Sequence, residues 1–108
     1  MQLDDDLPGA DLIAQGLADL RLHRYSRQAL LVAIGAPRLR ELNLVIPSDE
    51  DLPDQPEHRL YELLAEFSAP TAHADYNALI RRLVSYEHAR ELTISRANPR
   101  ISSNTSSQ

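Results

Sequence analysis

The chain has no cysteine, which excludes a disulfide framework and any thiolate metal site. It has no lysine either. All eleven basic residues are arginine, so Schiff-base and lysine general-base chemistry are out and every side-chain cation other than histidine is permanently charged. That bias fits a GC-rich bacterial genome and assigns no function. Glycine occurs only at Gly9, Gly16 and Gly35, too scattered for a phosphate-cradling loop. The longest apolar run, Ala29 to Ile34, is far short of the ~20 residues of a membrane span. The start, Met1-Gln2-Leu3-Asp4-Asp5-Asp6, lacks the basic region and apolar stretch of a secretory signal. These absences predict a cytoplasmic protein with no membrane partner.

What is present is acidic and unevenly spread. The net charge is -5, which disfavours a general affinity for nucleic acid or anionic lipid. Nine of the sixteen acids fall in residues 1–11 and 48–57. Residues 12–46 carry five arginines against Asp19 and Glu41, so an anionic partner would meet the chain there.

Hydrophobic spacing sets the fold class. Leu60, Leu63, Leu64 and Phe67, then Tyr76, Leu79, Ile80, Leu83 and Val84, follow the three-and-four spacing of amphipathic helices. The expectation is an all-α bundle of four main helices plus one short helix, built as two hairpins. A first helix runs from about Pro8 to Leu22, with Gly16 costing up to ~1 kcal/mol unless another backbone packs close there. Ser26 caps a second, central helix that Gly35 ends; a β-strand over Leu30 to Ile34 is the competing reading. Pro37 to Leu42 forms the short helix, and Leu44-Val45-Ile46 runs extended. Residues 47–56, with three prolines and four acids, form an exposed connection without regular structure. Asp54 and Glu57 resemble a capping box with Pro56 in the first turn. Helix three spans about Glu57 to Phe67, Ser68 to Thr71 is a break, and the longest helix runs from about Ala72 to Arg96.

The expected domain occupies 8–96, between an acidic arm at 1–7 and a disordered serine-rich tail at 97–108. Its core is expected from Leu12, Leu17, Leu20, Leu30, Leu31, Ile34, Leu39, Leu60, Leu63, Leu64, Phe67, Leu79, Ile80 and Leu83. Tyr25, Tyr61, Tyr76 and Tyr86 are expected at core edges, with hydroxyls reaching water.

Three constellations could carry chemistry. Arg81 and His88, seven residues apart, share one helix face where a cation and an imidazole could act on a phosphodiester; Arg82 lies well round the helix. Over those eight residues the spacing resembles the Arg and His pattern of HEPN-type ribonucleases, which implies RNA cleavage by Arg81 and His88. Arg38 and Arg40, beyond the Gly35-Ala36-Pro37 turn, outline a helix-turn-helix reader of DNA, although Pro37 shortens its recognition helix and no Asn or Gln precedes Asn43 to read base edges. His58 with Glu62, His73 with Asp75 and His88 with Glu91 have ligand spacing, but on faces expected to be wet. No cofactor or metal is expected.

The favoured reading is a non-enzymatic helical module for protein–protein interaction or regulation. Val84, Tyr86, Ala89 and Leu92 form a secondary apolar strip on the last helix, predicting a homodimer through that strip. The identity of any other protein partner is not written in the sequence.

Overall fold

The computed structural model describes residues 7–97, all helix, turn and connection with no β-strand among them. The acidic arm, apart from Leu7, and the serine-rich tail, apart from Ala97, lie outside the described residues. Helix α1 spans Ala10–Arg21 and α2 spans Arg27–Glu41. Helix α3, Pro56–Ser68, ends on an extended Ser68, and a 3-10 turn, Ala69–Thr71, leads into α4, Ala72–Ala97. The described residues are all-helical, and the expected count of four main helices plus one short helix is not matched exactly. The separate short helix expected at 37–42 is absent, whereas the break expected at 68–71 is present: Ser68 is extended, at φ -161° and ψ 92°, and the Tyr61 and Tyr76 rings on either side of it lie 6.0 Å apart. The β-strand alternative over Leu30 to Ile34 is likewise replaced by helix.

The missing short helix traces to proline. Pro37 sits inside α2, where it forfeits one backbone hydrogen bond and crowds the carbonyl four residues back. Ala36 and Leu39 on either side are 1% and 0% exposed, so burial on both flanks offsets that cost and the helix continues. Pro70 is accommodated because a 3-10 turn tolerates its fixed φ and missing N–H.

The stop expected at Gly35 comes eight residues later. After each of α1 and α2 one residue turns left-handed, His23 at φ 57° and Asn43 at φ 72°. The Arg24 N–H then donates to the Asp19 carbonyl and the Leu44 N–H to the Leu39 carbonyl, the crossed bonding that satisfies the last carbonyls of a helix. Ser26 does cap α2: its Oγ accepts from the Ala29 N–H at 3.1 Å while donating to Asp19 Oδ2 at 2.5 Å. That relay fastens the end of α1 to the start of α2. Asp54 does not cap α3; Gln55, in a left-handed conformation, occupies the position, with Pro56 in the first turn.

Helix α2 is central, packing on α1, α3 and α4. Ala29, Leu31 and Val32 are fully buried. Gly16 lets α1 approach so closely that an added Cβ would lie 2.4 Å from the Gln28 carbonyl oxygen and 2.5 Å from Val32 Cγ2. Beyond Asn43, Leu44 and Ile46 turn inward while Val45 is 80% exposed, the alternation of an extended segment. The acidic connection is more ordered than expected. Asp49–Asp51 form a 3-10 turn, Pro53 is buried, Arg40 bonds Asp49 and the Pro47 carbonyl, and the Tyr25 hydroxyl reaches the Asp51 carbonyl.

One expected core position, Phe67, and the strip shared by Val84 and Tyr86 are corrected. Phe67 is 71% exposed; it continues the stripe of α3, but the facing helix has run out, and the Arg27 guanidinium lies over its ring at 5.2 Å. Val84 is 54% exposed, whereas Tyr86 is 0% exposed in the core. At about 100° per residue, Tyr86 lies about 200° round α4 from Val84, so the two cannot share a face.

Candidate functional site

Helix α4 carries most of the candidate residues, and its length decides what they can do. Its 26 residues span about 39 Å, against about 22 Å for the 15 residues of α2. One side is committed to the core through Leu83 and Tyr86. At the far end of α2 two arginines tie the helices together: Arg90 Nε donates to the Leu42 carbonyl at 2.9 Å, and Arg38 bridges Glu91 at 2.7 Å and Glu41 at 3.1 Å. Glu87 lies beside Gly35; burial raises its carboxyl above the ordinary glutamate range, and the nearby Arg38 only partly opposes this. Burial, and secondarily Glu57, raises the Tyr76 hydroxyl; its ring packs against Tyr61 with centroids 6.0 Å apart.

The proposed DNA reader loses its geometry. There is no turn at Gly35 to Pro37, because α2 runs straight through it. Arg38 is held by Glu41 and Glu91, and Arg40 by Asp49 at 2.9 Å and the Pro47 carbonyl. Both arginines therefore tie parts of this chain together, and contacting a phosphate would require breaking those contacts.

The Arg81 and His88 pair fares differently. Both are exposed on α4, on one face two turns apart as the spacing requires. Arg81 pairs with no carboxylate among the described residues, while Arg82 reaches Asp11 at 3.6 Å. Beside them lies an open groove of about 540 Å³ lined by Pro8, Gly9, Ala78, Arg81, Arg82 and Ser85. His88 is not part of its lining. A smaller open cleft of about 210 Å³ sits between α2 and α3, walled by Tyr25, Leu30 and Leu63 and rimmed by Arg59, Glu62 and Glu66.

The histidine and carboxylate pairs stay apart. His58 Nε2 is 3.1 Å from Glu62 and His73 meets Asn77, both at the surface. Among the described residues no three of His, Cys, Asp and Glu gather in metal-binding geometry. No helix among them is long and apolar enough to cross a membrane.

Of the expected apolar strip, Val84 and Leu92 are exposed at 54% and 43%, Ala89 is half-buried and Tyr86 is removed to the core. The remaining face runs Val84, His88, Leu92, each four residues from the next. Sequence reasoning missed Gly9, Ala78 and Ser85, since small residues carry no periodic signal and their role appears only when α1 is laid on α4. No protein-family profile, curated protein or solved structure matches this chain.

Proposed function

We propose that this chain is a non-enzymatic helical interaction module, a small bacterial accessory or regulatory protein of the cytoplasm, that pairs with a second copy of itself through the outer face of α4. The observation that carries the reading is the position of Val84 and Leu92, both large, apolar and half-exposed, two turns apart on one side of the longest helix. Isolated exposed apolar residues are ordinary. Two of them aligned along a helix that outruns its partner are what helix-on-helix association uses. Completing the burial of each stabilises by about 1 kcal/mol, roughly half the value for a fully buried Val or Leu side chain.

His88 lies between them, and as the centre of a two-fold contact it would be desolvated or paired with its copy. Sedimentation equilibrium on the full chain at tens of micromolar tests the reading. A dimer is expected, converted to monomer in the Val84→Ser, Leu92→Ser double variant. A wild-type monomer at that concentration overturns it.

A further inference from the structure

The groove between the start of α1 and the middle of α4 has features that the pairing surface does not use. Ala78 and Ser85, seven residues apart, lie on one line of α4. Arg81 and Arg82 flank that line on opposite sides, about 60° and 40° away. The far wall is Pro8-Gly9, and it is fixed rather than loose. Gly9 is held at φ 81°, and a Cβ there would meet the Arg82 carbonyl oxygen at 3.0 Å and Tyr86 Cβ at 3.4 Å. The side chains at the base of the groove are therefore small or apolar, with cations on both flanks.

We infer that this groove binds a small amphiphilic anion: an oxyanion carried on a flat apolar body. Its volume of about 540 Å³ lies in the range of small-molecule sites, roughly 300–1,000 Å³, and far exceeds a bare inorganic ion. Pro8, Gly9 and Ala78 offer the body a surface without polar side chains. Arg81 offers a guanidinium with no carboxylate partner among the described residues, suited to two oxygens at once. Arg82 contributes once its long 3.6 Å contact with Asp11 is exchanged for the ligand; both partners are largely exposed, so that contact is weak. The Ser85 hydroxyl can donate to the same oxyanion. The Arg81 and His88 spacing is accounted for in part: Arg81 belongs to a binding groove, and His88 to the adjoining pairing face.

The test titrates the full chain with 2-naphthyl phosphate while following the backbone amide resonances of Gly9, Ala78 and Ser85, with inorganic phosphate and 2-naphthol as separate arms. Saturable binding is expected for 2-naphthyl phosphate, about tenfold or more tighter than either arm, because only it engages both base and flanks. Arg81→Ala should weaken it about tenfold, and Asp11→Asn should tighten it by about twofold or more by freeing Arg82. Inorganic phosphate binding equally well would reduce the site to an adventitious ion on two arginines. Equal binding of 2-naphthol, no effect of Arg81→Ala, no tightening in Asp11→Asn, or no saturation by about 10 mM would each overturn the inference. Because Arg81 lies on the same side of α4 as His88, the titration is repeated on the Val84→Ser, Leu92→Ser variant: saturable binding there with the same loss on Arg81→Ala supports a groove that acts without pairing, and loss of binding there would overturn it as a site of the single chain.

Discussion

Replacing Gly16 by alanine sets two effects of opposite sign against each other, and the structure decides which prevails. Helix propensity alone favours alanine by about 1 kcal/mol. Against it, the new methyl would sit 2.4 Å from the Gln28 carbonyl oxygen, 2.9 Å from the Gln28 carbonyl carbon and 2.5 Å from Val32 Cγ2. Comfortable carbon contacts are about 3.5–4.0 Å, so α1 must retreat by about 1 Å. Two of the three obstacles are backbone atoms of the central helix, and the third belongs to a fully buried β-branched side chain with little rotamer freedom. None can move aside alone. Overpacking of this kind costs about 1–3 kcal/mol, and the retreat also loosens the Ser26–Asp19 relay, so the net result is destabilisation by about 1–2 kcal/mol. For a chain of this size that lowers Tm by roughly 5–10 °C. Far-UV circular dichroism during a thermal melt, with urea unfolding to check that the slope is unchanged, reads it directly. A Gly16→Ala protein that melts at or above the wild-type temperature would refute the close approach of α1 and α2.

Pro37→Ala should stabilise by about 1–3 kcal/mol, because the exposed ring contributes no core packing and alanine restores a bond within α2; no gain in a urea melt would mean that the helix is interrupted there after all. Ser26→Ala should cost about 1–2 kcal/mol by removing the cap of α2 and a partner of the buried Asp19 carboxylate, and an unchanged midpoint would contradict the relay. Glu87 is held with its carboxyl pKa raised, so the folded state binds its proton more tightly than the unfolded one and stability falls as pH rises from the unfolded value to the folded one. Glu87→Gln should therefore raise Tm relative to wild type at pH 7, with the gap closing at acidic pH below both values; a variant less stable at neutral pH would reverse the sign.

The fold class was legible because leucines at helical pitch leave little choice: Leu60, Leu64 and Leu83 are in the core, and Ser26 caps as its residue type suggests. Gly16 was legible as a conditional, a cost unless backbone packed there, and the condition holds. Pro70 marks a real break, but Pro37 was misleading. Local preference treats Pro37 as a boundary, whereas burial of Ala36 and Leu39 carries α2 across it. The alanines of the core, Ala10, Ala29, Ala36 and Ala72, give no hydrophobic rhythm of their own and mark only where helices approach. Phe67 and Tyr86 exchanged their expected places for reasons a period cannot encode: what stands opposite the last turn of α3, and the packing of Gly9, just before α1, against Tyr86. The candidate groove was half legible, since Arg81 and Arg82 stand out in the sequence while the wall formed by Pro8 and Gly9 depends on the packing of α1.

The absence of native cysteine makes the pairing face open to a direct measurement. A single His88→Cys substitution places one thiol midway between Val84 and Leu92, and mild oxidation of the purified chain should yield a disulfide-linked dimer, since only thiols brought face to face can bridge. An Ala18→Cys control on the exposed side of α1 should stay largely unlinked under the same conditions. If the two variants cross-link equally, or the His88→Cys chain remains monomeric, α4 does not meet a second copy of itself and the account of this protein as a self-pairing helical module is wrong.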